Sequence, residues 1–450
     1  MHTNSVSLRS NKKDLKTKDK QKTKVKVITL GCSKNLVDSE NIITQLQGND
    51  IAAEHEGLLE DSNVVVINTC GFIDRAKEES VNTILEYADI KANGGIEKLY
   101  VTGCLSERYK NDLEEEIPEV DAYFGTMELP GLLAKFNADY KHELLGERTI
   151  TTPQHYAFLK ISEGCNRTCS FCAIPLMRGK HISRPIEELV KEAANLAKYG
   201  VKELMLIAQE LTYYGLDIYK ERQLPQLLEA LSNVEGIEWI RLHYAYPSKF
   251  PREIFTAMAN SKEVCNYLDI PLQHADDAVL HRMRRQITVK ETEDLINYAR
   301  KKVPGIAIRT TMLVGFPGET EEEFQNLMDF VERTKFDRLG VFQYSHEEGT
   351  IAHDLEDDVS EELKRERASR LMRLQEGISL SLNEKKVGNT YKVLVDKKEG
   401  AFFYARSEFD SPEVGNEVLI DARKHFLRVG DFAQVKVIEA TEFDLYAEPI

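Results

Sequence analysis

Three cysteines within eight residues set the strongest limit on what this 450-residue chain can be. Cys165, Cys169 and Cys172 form Cys-x3-Cys-x2-Cys inside Glu163-Gly-Cys-Asn-Arg-Thr-Cys-Ser-Phe-Cys172. Three thiolates so close, with no fourth Cys or His at short spacing, suit an iron–sulfur cluster with one iron left unligated. A structural zinc site usually closes with a fourth ligand, for which His155 and His181 are the candidates. Seven cysteines in all are too sparse, and odd in number, for a disulfide scaffold, which points to a reducing compartment.

The pattern around the motif is that of several α/β domains. Val27–Leu30, Val64–Asn68 and Leu99–Thr102 read as buried strands, each followed by helical periodicity (Leu36–Leu46, Arg75–Ala88, Ser106–Ile117). This predicts an N-terminal parallel α/β sandwich over residues 25–141. A second series of six strands runs from Tyr156–Ile161 through Leu204–Ala208, Trp239–Tyr244, Tyr267–Pro271 and Ile306–Val314 to Leu339–Tyr344. Helical segments alternate with them, which predicts a partial (β/α)6 TIM-like barrel over residues 151–382 with its chemistry at the strand C-termini. Five short strands separated by Gly, Pro, Asn and Asp then predict a small antiparallel β-barrel over residues 384–450.

Charge divides the chain unevenly. The net charge is −16, yet residues 1–26 carry nine Lys/Arg against two Asp, so the remainder is at −23. Residues 1–24 read as a disordered basic tail. The acidic body is a poor general binder of nucleic acid but complements a basic protein. No apolar run approaches the length of a membrane span.

The remaining cysteines repeat one arrangement. Cys32, Cys70 and Cys104 each follow a candidate strand of the N-terminal domain by one or two residues. In a parallel sheet, strand C-termini line the ligand crevice, so these three converge on one sheet edge. They suit a second cluster with an open iron, whereas Cys265 reads as core.

With Phe171 before its last Cys and a barrel strand before its first, the 165–172 motif resembles the radical SAM superfamily. There, S-adenosylmethionine chelates the open iron and is cleaved to a 5′-deoxyadenosyl radical. Over residues 25–450 the chain resembles the methylthiotransferase family: an N-terminal domain with three cluster-binding cysteines, a radical SAM barrel and a C-terminal TRAM barrel. Gly31-Cys-Ser-Lys-Asn-Leu-Val-Asp-Ser-Glu40 looks like the ribosomal-protein branch, where the tRNA-modifying branch has Gln-Met-Asn after the same Gly-Cys. Asn68–Ile73, Met177-Arg-Gly179, Ser183-Arg-Pro185 and Tyr344–Thr350 match that branch too. Ala208-Gln-Glu210 departs from it, since relatives often have Gln-Asp there.

The resemblance implies transfer of a methylthio group to the β-carbon of an aspartate in a small-subunit ribosomal protein. It also implies two 4Fe-4S clusters, two molecules of S-adenosylmethionine, an electron donor such as flavodoxin or ferredoxin, and a cytoplasmic setting. The alternative is a tRNA adenosine methylthiotransferase. The cluster ligands would be Cys32, Cys70, Cys104, Cys165, Cys169 and Cys172, and no catalytic residue is assigned beyond them. Gly315 and Gly318, in Thr311-Met-Leu-Val-Gly-Phe-Pro-Gly-Glu-Thr320, would let backbone approach the cofactor, with Thr320 and Glu323 forming a capping box after the turn. Phe171 either flanks the adenine or packs under the loop. Lys34 reads as a surface lysine or a partner for the target carboxylate, and His274 as a structural histidine. RNA contact would come through the basic tail and through Phe402, Phe403, Tyr404, Lys397, Lys398, Arg406, Arg423, Lys424 and Arg428 of the terminal barrel.

Overall fold

A computed structural model describes residues 23–58, 62–144, 146–412 and 414–450. The expected basic tail falls almost wholly on residues 1–22, outside the described residues, and Lys24 already belongs to the first strand. Five parallel strands, β1 (Lys24–Thr29), β2 (Ala52–His55), β3 (Val64–Thr69), β4 (Lys98–Gly103) and β5 (Ala122–Tyr123), form a sheet in the order β2-β1-β3-β4-β5. Helices α1 (Ser33–Gly48), α2 (Asp74–Ala92), α3 (Cys104–Glu116) and α4 (Leu129–Ala134) accompany it. Two apolar cores, around Ile67 and Val66 on opposite faces of β3, make it the expected sandwich.

The second unit is an open six-stranded parallel sheet. Its strands are β6 (Tyr156–Lys160), β9 (Glu203–Ile207), β10 (Trp239–Leu242), β11 (Val264–Asp269), β12 (Ala307–Val314) and β13 (Arg338–Gln343), paired in sequence order from β6 to β13. The edges β6 and β13 do not pair, so the barrel is partial as expected. Two short strands, β7 (Ser162–Glu163) and β8 (Ile182–Ser183), pair antiparallel and close the base of the 164–181 loop, which carries helix α5 (Ile174–Arg178). Outer helices α6 (Ile186–Lys198), α7 (Leu224–Ser232), α8 (Glu253–Asn260), α9 (Asp277–Arg282), α10 (Val289–Lys302) and α11 (Glu321–Thr334) lead to the long α12 (Glu361–Glu384). The predicted capping box of Thr320 and Glu323 starts α11. Cys265 is core.

The last unit is a closed barrel of β14 (Thr390–Glu399), β15 (Phe402–Ser407), β16 (Glu417–Asp421), β17 (Phe432–Ala440) and β18 (Asp444–Pro449). It corrects the expectation in one respect: β16 and β18 pair in parallel, because the chain crosses the barrel between them through β17. It also shortens the proposed RNA-facing set. Phe403 lies in the barrel core, and Arg406 is buried in ion pairs with Glu203 and Asp396. No helix among the described residues is long and apolar enough to cross a membrane.

Candidate active site

Parallel pairing places Cys32, Cys70 and Cys104 at the C-terminal ends of the adjacent strands β1, β3 and β4. Thr29 pairs with Asn68 and Thr69 with Gly103, so the three ends are level. Gly31 has φ +91°, and a Cβ there would lie 2.8 Å from the Cys70 Sγ, so the turn leading to Cys32 is pressed against Cys70. The backbone beneath is fastened by buried polar groups. Asn35 Nδ2 donates to the carbonyls of Leu30 (2.7 Å) and Thr69 (3.0 Å), and Ser80 Oγ bonds both the N–H and the carbonyl of Cys70.

The second triad sits beyond β6 and β7 at the C-terminal end of the core sheet. Ser170 anchors the loop, donating to the carbonyls of Met283 (3.1 Å) and Arg282 (2.8 Å). The Arg167 N–H approaches the Cys165 Sγ at 3.4 Å, and Arg285 Nη1 donates to the Cys169 Sγ at 3.3 Å. The Arg167 guanidinium is held between the rings of Tyr213 (4.0 Å) and Tyr246 (3.9 Å) and paired with Glu210 at 3.1 Å. Glu210, the departure from the family pattern, is thereby a buried partner of the cluster loop, and it also caps the turn at Thr212. Burial pushes the Cys165 thiol up to about 11 and the Cys172 and Cys104 thiols up to about 12. A bound cation at the sulfur reverses that preference and holds the thiolate.

Arg178 joins the two triads. Its Nε donates to the Cys104 Sγ at 3.2 Å, Nη1 to Asp38 at 2.6 Å and Glu163 at 3.3 Å, and Nη2 to the Asn35 side-chain carbonyl. Lys160 binds the same two carboxylates, at 2.6 Å from Glu163. Burial opposes charge on Glu163, but Lys160 and Arg178 outweigh it and hold its carboxyl well below the usual range. Lys34 is corrected from a surface lysine to a buried one, its ammonium 3.0 Å from the Tyr244 ring centroid in the seam between the units.

Both zinc candidates are engaged elsewhere: His155 pairs with Asp396 at 2.8 Å, and His181 with Ser183 at 3.0 Å. Among the described residues, no three His, Cys, Asp or Glu side chains are grouped to hold one metal ion. Each set offers free thiols with an arginine N–H on one sulfur, chemistry that fits a thiolate-bound, negatively charged iron–sulfur cluster better than a closed single-ion site. Phe171 packs into an apolar cluster with Leu313, Phe316 and Tyr344, which brings it to the Gly315–Gly318 turn. The turn is shaped from within: the Gly315 N–H donates to Glu319 (2.9 Å), and a Cβ there would lie 2.2 Å from Lys364 Cγ. His274 is buried with Nδ1 accepting from the Asp276 N–H, while its Nε2 has no hydrogen-bond partner among the described residues and lies 3.5 Å from the Glu319 carboxylate beneath the Gly315–Gly318 turn. The sequence reading missed Arg167, Arg178, Tyr246 and Arg285 as site residues. Arg167, inside the Glu163–Cys172 motif, and Arg178, in Met177-Arg-Gly179 close behind it, stood in quoted motifs, whereas Tyr246 and Arg285 had no such signal.

An open α/β barrel with a Cys-x3-Cys-x2-Cys loop at the C-terminal end of its edge strand defines a radical SAM enzyme. The radical SAM superfamily is matched over residues 159–331, the uncharacterized protein family UPF0004 over 24–125 and the TRAM domain over 387–450. The ribosomal protein uS12 methylthiotransferase RimO of Cytophaga hutchinsonii is 62% identical over 434 residues, covering 96% of this chain and 99% of that protein. RimO of Flavobacterium johnsoniae is 61% identical over 436 residues, 97% and 100% of the two chains. The chain belongs to this RimO family of methylthiotransferases and is a transferase enzyme. Among solved structures, the radical S-adenosylmethionine methyltransferase TsrM of Kitasatospora setae shares the fold with TM-score 0.53 at 13% identity, over 84% of this chain and 79% of that one. The cobalamin-dependent radical enzyme OxsB shares it with TM-score 0.54 at 11% identity, over 79% and 61%.

Proposed function

We propose that this enzyme adds a methylthio group to the β-carbon of an aspartate in ribosomal protein uS12. It would use one 4Fe-4S cluster on each cysteine triad and two molecules of S-adenosylmethionine. The observation that carries the reading is the pair of triads, each at the C-terminal edge of its own parallel sheet and joined through Arg178. When bound, the clusters and S-adenosylmethionine would supply the one-electron chemistry that an unactivated C–H bond requires and the methyl donor for the methylthio group.

The chain's own residues bind, orient and shield. Cys165, Cys169 and Cys172 hold the first cluster, with Arg285 and the Arg167 N–H on its sulfurs. Phe171 and the Gly315–Gly318 turn border the place proposed for S-adenosylmethionine. Cys32, Cys70 and Cys104 hold the second cluster across the seam. Small flavodoxin- or ferredoxin-like proteins fit as electron donors, and the cytoplasm as the compartment. RNA contact through the TRAM barrel would use the surface set Lys397, Lys398, Arg423, Lys424 and Arg428.

The test is mass spectrometry of ribosomal proteins from cells with and without this gene. The expected result is a methylthio increment on one uS12 aspartate that disappears on deletion and returns only when all six cysteines are present. An unchanged uS12 together with lost methylthioadenosine in tRNA overturns the reading in favour of a tRNA substrate.

A further inference from the structure

Arg178 belongs to the cysteine loop of one unit and hydrogen-bonds a ligand cysteine of the other, Cys104, on which Ala173 and Met177 of the same loop also pack. It ends α5, six residues beyond Cys172, and is only 5% exposed. Its guanidinium is locked in a single orientation, with donors taken up by the Cys104 sulfur, the Asn35 side-chain carbonyl, Asp38 and Glu163. Asn35 and Asp38 lie on α1, which Cys32 caps, and Glu163 is separated from Cys165 only by Gly164. A continuous polar path therefore runs from Cys104 through the guanidinium and Glu163 to the loop of Cys165. The core triad has its own arginine, Arg285 on Cys169, so the two triads do not share one sulfur donor.

An N–H directed at a ligand sulfur withdraws electron density from it, and a fixed positive charge beside it stabilises the reduced, more negative state of a cluster. Resting on the reading that Cys32, Cys70 and Cys104 hold a cluster, we propose that Arg178 is the positioning residue that raises that cluster's reduction potential and ties its Cys104 ligand to the radical SAM loop. A lysine at this position keeps the charge but loses the planar fork that reaches Cys104 and the two carboxylates together. A glutamine loses both the charge and the fork.

The experiment uses the full chain with Cys165, Cys169 and Cys172 changed to Ala, reconstituted with iron and sulfide, so that only the second triad reports. Iron content is measured first, then the midpoint potential by EPR-monitored redox titration, for Arg178, R178K and R178Q. The expected result is bound iron in the Arg178 chain, a midpoint shifted downward in R178K and further downward in R178Q. In the converse background, with Cys32, Cys70 and Cys104 changed to Ala, the same substitutions shift the core potential less. If R178Q loses iron, R178K decides. No iron on the triad of the Arg178 chain overturns the two-cluster reading and this inference with it. Bound iron with an unshifted midpoint, or an equal shift in the converse background, overturns the inference alone.

Discussion

Gly103 shows how narrowly the cysteine positions are determined. It adopts φ +102°, ψ −163°, a conformation essentially reserved for glycine, and a Cβ there would lie 2.5 Å from the Thr69 carbonyl oxygen. Gly388 also has positive φ (+87°), but nothing lies within 4 Å of its would-be Cβ. Gly388→Ala therefore bears backbone strain alone, about 1 kcal/mol. Gly103→Ala bears strain plus collision with backbone, about 3 kcal/mol or more, and displaces Cys104. Chemical unfolding and iron analysis of both variants check this, and a Gly103→Ala chain as stable as Gly388→Ala refutes it. At this scale the sequence reveals the cysteines because three thiols in eight residues have few structural uses. It conceals their partners: Arg178 meets Asn35 across 143 residues and Arg285 meets Cys169 across 116, distances at which no local spacing carries information. Lys34 misleads for the same reason, since Tyr244, which covers it, comes from the other sheet.

Elements were legible where a period was long enough to repeat. Central parallel strands such as β3 and β9 are buried on both faces and read as continuous apolar runs, and the capping box marks the start of α11 to the residue. The short edge strands β2, Ala-Ala-Glu-His, and β5, two residues long, carry no such signal, and neither does five-residue α5. The parallel pairing of β16 with β18 depends on how the barrel closes, which strand patterns do not encode. The Thr320 cap itself can be measured. Its hydroxyl accepts from the Glu323 N–H at 3.2 Å while Glu323 reaches back to the Thr320 N–H at 2.8 Å. Thr320→Ala is expected to lose about 1 kcal/mol and Thr320→Ser almost nothing, read from chemical unfolding. Equal stability of all three chains, or equal losses in both variants, contradicts the assignment.

At the scale of the molecule, buried charge fixes the terminal barrel beneath the core sheet. Arg406 bridges Glu203 (2.8 Å) and Asp396 (2.5 Å), Arg241 joins Glu203 (2.7 Å), and Arg338 binds Asp410 (2.5 Å); Arg338, Asp396 and Arg406 line a cavity of about 650 Å³ between the units. Burial opposes charge on Asp410, but Arg338 and Lys386 outweigh it and hold the carboxyl below its ordinary value. A folded-state value below the unfolded one of about 3.9 means the stabilisation is fully present above that pH and is lost as pH falls through the folded value. Asp410→Asn leaves Arg338 buried without its anion, so at pH 7 the seam should weaken by about 3 kcal/mol. Below about pH 4 the unfolded carboxyl protonates first and the advantage of the wild type shrinks, and the two chains converge only once the pH falls below the lowered folded-state value of Asp410. The chain has a single tryptophan, Trp239, and its ring packs 4.8 Å from Phe432 of the barrel, so its fluorescence reports this seam directly. Urea titrations followed at Trp239 should show an earlier transition for Asp410→Asn at pH 7 and a gap that narrows steadily as pH falls below about 4. A gap that stays constant with pH would place the stabilisation in the shape of the Asp410 side chain, and no gap at pH 7 would mean that the Arg338–Asp410 pair does not hold the barrel to the core sheet.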